Sequence, residues 1–302
     1  MAEISASLVK ALRDKTNAGM MDCKKALMET NGDLEAAVDW LRKKGLSAAA
    51  KRSGRIACEG LVGVAVSGTR GAVVEVNSET DFVARNAIFQ DFVATVARIA
   101  VDLQGDAAAI RQATWPASGR PISDELTRLA ATIGENITLR RADALSAEQG
   151  IIASYIHGAQ GQSIGRIGVL VALEADRTGQ AVADLGKKLA MHVAATNPLA
   201  VSRAEVAADA LDRERAILVE QARASGKPEA VVQKMVEGRL AKFYEEVCLL
   251  EQAFVMDPQT KVGALLEAAG RELGCRLHVR RFIRYALGEG IEKRQDDVTA
   301  AA

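Results

Sequence analysis

The chain has 302 residues, 49% hydrophobic and 26% charged, a globular composition with room for two or three domains. Lysine plus arginine equals aspartate plus glutamate at 39 each, which excludes a global pull on nucleic acid or anionic lipid and confines any charged site to a local patch. Aromatics at 4% argue against a base-stacking surface, and neither the four scattered cysteines nor the three isolated histidines have disulfide-framework or zinc-ligand spacing. Met1 to Ser5 lacks a basic leader, and no run approaches the length of a membrane span, so a cytoplasmic protein with reduced cysteines and no membrane partner is expected.

Residues 4–53 read as three short helices. Leu8, Val9 and Leu12 mark the first, which Gly19 ends after Asn17-Ala18. Cys23, Ala26 and Leu27 mark the second, read from Asp22. Asn31-Gly32 stops it, and Asp33 caps a third helix with Leu34, Ala37, Val38 and Leu41. Lys43-Lys44-Gly45 onward to Arg55 reads as an extra helix running into a linker.

Strand patterns follow. Leu61 to Val66 and Ala72 to Val76 flank a glycine-bearing turn and form a hairpin. Phe89, Phe92, Val93, Val96 and Ile99 lie at helical spacing. Residues 102–121 read as a connection, Ser123 as the cap of a helix that Gly134 ends, and Ile137 to Arg140 as a third strand.

A second series begins near Gly150: strand Ile151–Ile156, loop 158–163, strand Ile164–Glu174, and helix Val182–Ala195 stopped by Asn197-Pro198. Asp91-Phe92 and Ala100 fall opposite Asp184-Leu185 and Val193 at one constant offset, which suggests an internal duplication with antiparallel three-stranded sheets. Ser202-x-x-Glu205 reads as a capping box opening a helix, and the turn Ser225-Gly226-Lys227-Pro228 leads into another. This αα-hairpin is either an oligomer contact or a solvated arm. A helix near Leu265 and a long strand from Arg276 to Leu287 complete the fold, before a short charged tail.

Few constellations carry chemistry. The glycines from Gly158 to Gly168 lack a following Gly-Lys-Ser/Thr and lie between strands, so they read as a hairpin loop rather than a phosphate cradle. Glu79 and Asp81 have no nucleophile beside them. His157 reads as a strand-edge histidine. Arg276, Arg280, Arg281 and Arg284, near Phe282 and Tyr285, leave an RNA face open as a rival reading, and an enzyme with an unrecognised site is another.

The stretch Asn77 to Asn86, NSETDFVARN, is the sharpest feature. Phe82 could join Phe89, seven residues on, in an apolar helix stripe, with Asp81 as the cap. Alternatively Asn86 caps the long helix, residues 80–85 form a separate turn, and Phe82 is exposed. At the same constant offset the second series places Glu174 and Ala175 opposite Asp81 and Phe82, which favours a tip peculiar to the first copy.

Met20-Met21-Asp22-Cys23-Lys24-Lys25-Ala26-Leu27, Glu75 to Ala84, Ile133-Gly134-Glu135-Asn136, Gly165 to Val171, Met191 to Ala195 and Gly288 to Lys293 together resemble the elongation factor Ts family, over nearly the whole chain. The resemblance implies an α+β protein. Residues 1–55 would form a ubiquitin-associated-like three-helix domain, 56–141 and 142–287 two related subdomains with three-stranded antiparallel sheets, about 202–250 an inserted helical hairpin, and 288–302 a tail. It also implies a function without a catalytic residue or cofactor: guanine nucleotide exchange on the GTPase elongation factor Tu, with no direct nucleic-acid partner. The tip Thr80, Asp81, Phe82 and Val83 would enter near the magnesium and phosphate site, with Ile133, Gly134 and His157 as further contacts and Met20 and Lys24 touching another helix. Some members dimerise through the hairpin. The longer loop 158–163 and the early end of the tail depart from the family pattern.

Overall fold

The computed structural model describes residues 4–16, 18–224, 226 and 228–292; Asn17, the turn residues Ser225 and Lys227, and the tail from Lys293 lie outside them. Three helices open the chain: α1 (Ala6–Thr16), α2 (Met20–Glu29) and α3 (Leu34–Arg52). Leu12, Cys23, Ala26, Leu27 and Ala37 are fully buried between them. Asp33 starts α3, its Oδ1 accepting from the amides of Glu35 and Ala36 at 2.9 and 3.0 Å. The expected extra helix is instead a continuation of α3 to Arg52, and the expected linker follows as residues 53–58. A Cβ at Gly45 would stand 2.7 Å from the Ala131 Cβ, so this glycine permits a close helix crossing instead of breaking the helix.

The first lobe contains β1 (Glu59–Ser67), β2 (Arg70–Ser78), α4 (Ala87–Asp102), α5 (Ala107–Gln112), α6 (Ile122–Ile133) and β3 (Thr138–Ser146). The second contains β4 (Gly150–His157), β5 (Ile164–Gly165), β6 (Ile167–Ala175), α7 (Gln180–Thr196), the hairpin α8 (Ala208–Arg223) and α9 (Glu229–Val247), β7 (Ala253–Phe254), β8 (Asp257–Lys261), α10 (Val262–Leu273) and β9 (Leu277–Ala286). The pairings among these strands are antiparallel, with sheet orders β3-β2-β1-β5, β4-β6-β9 and β7-β8.

Several local expectations are corrected. The 102–121 connection holds α5, capped by Asp106. Helix α6 starts at Ile122 behind Pro121, with no side-chain cap, rather than at a Ser123 cap. Ser202 and Glu205 bond to each other across a 3-10 turn, and α8 begins only at Ala208. The single strand expected from Ile164 to Glu174 is split at Arg166: β5 crosses to pair with β1, giving the first sheet a two-residue fourth strand, while β6 stays with β4. The small β7-β8 hairpin has no apolar alternation to announce it.

The two sheets pack face to face through Val62, Val64, Val73, Ile152, Leu170 and Ile283. The outer face of the first is covered by α4, with Phe89, Phe92, Val93 and Val96 on Leu61, Ala72, Val74 and Val76. The outer face of the second is covered by α7 and α10. The result is helix, sheet, sheet, helix. This explains why β2 and β6 are near-continuous apolar runs rather than alternating ones: both faces of each are buried.

The duplication is visible in backbone detail. A β-bulge falls between Glu75 and Val76 in one lobe and between Ala172 and Leu173 in the other. Each faces a glycine at the start of the adjoining strand, Gly60 (φ +119°) and Gly150 (φ +132°), where a Cβ would come within 2.2 Å of the carbonyl oxygens of Val76 and Leu173. The bulges set the strand correspondence four residues away from the one that relates α4 to α7. The constant offset therefore fails between strand and helix.

Candidate functional site

That discrepancy marks the candidate site. The link from β6 to α7 spans residues 176–179, whereas the link from β2 to α4 spans 79–86 and is twice as long. Asp81 and Phe82 consequently have no counterparts in the second lobe, rather than standing opposite Glu174 and Ala175. The extra residues form a 3-10 turn, Asp81–Arg85. Asn86 then caps α4, its Oδ1 accepting from the amides of Ile88 and Phe89 at 2.9 and 3.4 Å. A helix starting there cannot carry Phe82 in its stripe. Phe89 is fully buried and Phe82 is 75% exposed.

The turn is held at its base. Val83 is its buried side chain and lies in the first lobe's core. The Glu135 carboxylate accepts from the Thr80 amide (2.9 Å) and hydroxyl (2.6 Å), and the Glu79 carboxylate accepts from the Asn136 amide at 2.6 Å. The two loops thus brace each other. The Asn136 side chain donates to the Arg55 carbonyl at 2.7 Å, and Arg55 pairs with Glu79 at 3.4 Å, so the chain leaving α3 is tied to the same point. Gly134 caps α6 in the left-handed region, φ +89°, and turns the chain from Ile133 into Glu135.

The tip and Ile133-Gly134, far apart in sequence, are therefore brought together. His157 is exposed at the end of β4, its Nδ1 3.3 Å from the Tyr155 hydroxyl. Its carbonyl accepts from the Arg166 amide (3.0 Å), and Arg166 pairs with Glu59 at 3.6 Å, the residue opposite Ser78 at the foot of the tip. Met20 and Lys24 lie a turn apart on the open face of α2, opposite the buried Cys23 and Leu27. Met20, Met21 and Met28 on this helix are 55%, 77% and 57% exposed. Of the braces, only Asn86 is identifiable from its own sequence neighbourhood; Glu135 and Asn136 stand out there only as part of a family-like motif.

Three of the four C-terminal arginines have acidic partners: Arg276 pairs with Asp176, Arg280 with Glu148 and Glu174, and Arg284 with Glu289, which offsets part of the charge an RNA face would need. Among the described residues no group of three or more His, Cys, Asp or Glu side chains is arranged to hold a metal ion, and no helix is long and apolar enough to cross a membrane.

Fold and site define an α+β scaffold that presents one exposed aromatic on a braced turn. A family model described as Elongation factor TS matches residues 79–289. Curated proteins named Elongation factor Ts are similar along nearly the whole chain. Those of Paramagnetospirillum magneticum and Rhodospirillum rubrum are each 58% identical over 99% of this chain and 96% and 97% of their own lengths. That of Rhizobium rhizogenes is 54% identical over 99% and 97%. The chain belongs to the elongation factor Ts family.

Proposed function

We propose that this protein is a guanine nucleotide exchange factor for elongation factor Tu and that Asp81-Phe82 is the element that disturbs the nucleotide site. Family membership supports the exchange role, and the 75% exposure of Phe82 on a braced turn carries the assignment of the tip. No covalent step is required. A protein that binds the nucleotide-free GTPase more tightly than the nucleotide-bound form must, by linkage, weaken nucleotide binding by the same factor.

Burial of one phenylalanine side chain contributes roughly 1.5–3 kcal/mol, a factor of about ten to a hundred. The remaining coupling has to come from a wider surface. Ile133 and Gly134 beside the tip, His157, and the Met20/Lys24 face of α2 are the segments assigned to it. Asp81 brings an exposed carboxylate toward the phosphate side, where it competes with the nucleotide for cationic groups. The hairpin, with Ile217 and Val231 exposed, is the proposed dimer contact; a monomer by sedimentation would remove that part alone.

The test is release of labelled GDP from elongation factor Tu with and without the protein. Acceleration is expected, and its absence at micromolar factor overturns the reading.

A further inference from the structure

We propose that Glu135 is a positioning residue for the Phe82 tip, and that Thr80 serves as the residue this carboxylate holds rather than as a contact for the GTPase. The inference rests on the exchange reading for its consequence, but its geometry is independent of it.

Thr80 sits where the chain leaves β2 and enters the 3-10 turn, in the position of an N-cap. A threonine there ordinarily turns its hydroxyl back onto the amides of the first turn. This one makes no such bond. Its hydroxyl donates to one Glu135 oxygen at 2.6 Å, and its amide donates to the other at 2.9 Å. Its carbonyl accepts from the Ser78 hydroxyl at 2.9 Å. The amide, hydroxyl and carbonyl of one residue are all fixed, two of them by a single carboxylate.

The residue that needs the fixing is two positions on. Phe82, at 75% exposure, has little packing of its own to set its direction. A short 3-10 turn, with its poorer hydrogen-bond geometry, holds its shape weakly. Its anchors include Val83 in the core, the Gln90 side chain donating to the Ala84 carbonyl at 2.8 Å, and the Thr80–Glu135 clamp. Val83 keeps the turn attached, and the clamp sets the angle at which it leaves the sheet. Because Glu135 directly follows Ile133-Gly134, the same carboxylate also fixes those two proposed contacts relative to the tip. A tip already ordered avoids the cost of ordering on binding.

The experiment combines amide hydrogen exchange with exchange kinetics on the full chain. In Glu135→Ala, amides of residues 80–85 should lose protection while those of β2 and α4 keep theirs. The kcat for GDP release should fall by about tenfold with KM nearly unchanged, since the other contact surfaces remain. Thr80→Ser, which keeps both donors, should lose less than Thr80→Val, which removes the hydroxyl alone. Thr80→Val added to Glu135→Ala should cost nothing further. Unchanged protection at 80–85, or additive losses in the double variant, would overturn the clamp. If the unaltered protein fails to release GDP, the exchange reading falls and the hydrogen-exchange result alone decides the clamp.

Discussion

Phe82 and Phe89 show how one side chain's place depends on its neighbours. They have the same chemistry and a helical separation, yet one is core and the other surface, because Asn86 claims the first helical amides and ends the stripe. Phe82→Ala should leave thermal stability nearly unchanged while lowering exchange by about tenfold or more, measured as a melting scan beside GDP release. A large drop in melting temperature would return Phe82 to the core. At Gly134 a Cβ would point into open space, so the cost of a side chain there is conformational alone. Gly134→Ala should lose roughly 1–2 kcal/mol in urea unfolding, from the left-handed backbone.

Among the elements, the link between β2 and α4 is where the two lobes differ most plainly. Its counterpart in the second lobe is half as long and makes an ordinary strand-to-helix crossing. The tip is thus an insertion into a repeated scaffold, bounded by the Thr80 clamp and the Asn86 cap. Asn86→Ala should cost about 1 kcal/mol of stability and loosen the turn from its helix-side end, read as faster amide exchange in residues 83–89. The same reasoning accounts for what the pattern concealed. Arg166 interrupts an otherwise apolar run, so only the pairing of Ile164-Gly165 with Val62-Gly63 reveals two strands there.

Across the whole molecule, Glu75 joins the lobes. It is fully buried, and the bulge in β3 brings two consecutive residues onto it: Arg140 at 3.0 Å and Arg141 at 2.5 Å. The Gly288 amide, beyond the end of β9, donates to it at 2.8 Å. Burial alone would raise its pKa; Gly288, Asn77 and Arg141 outweigh that and hold it below the ordinary 4.5. Glu75→Gln should cost roughly 3 kcal/mol by thermal or urea unfolding, since it removes the buried charge shared by two arginines and leaves Arg141 only its longer pair with Glu289 at 3.7 Å. His192, fully buried, takes the Val255 amide on Nδ1 (3.2 Å), so Nε2 carries the proton toward Gln252 at 2.9 Å. Burial depresses its pKa below 6.5, against a smaller opposing effect of Gln252.

Both depressed groups act in the same direction. The unfolded chain binds protons that the folded one refuses, so each contribution is present above the unfolded pKa and is lost as pH falls through the folded one. Melting temperature should decline as pH falls below 6.5 through His192, with a further decline below 4.5 through Glu75. The first decline should vanish in His192→Gln. Tyr285, pushed up to about 12 chiefly by burial, works oppositely: its contribution is complete below pH 10.0 and lost as pH rises through its folded value.

Most of the helices, the β1-β2 hairpin and the candidate cap at Asn86 were legible from the residues, because periodicity, caps and turn glycines act over a few positions and need no partner; α5, the β7-β8 pair and the break at Arg166 were not. The α+β class and the repeat could be read for the same reason. The stacking of the two sheets, the crossing of β5 to the first lobe, and the clamp of Glu135 on Thr80 depend on residues far apart in sequence meeting in space, and no local pattern encodes such a meeting. The exposure of Phe82 stands between the two: a local cap made it possible, and packing of the core around Val83, with no room taken by its neighbour, decided it.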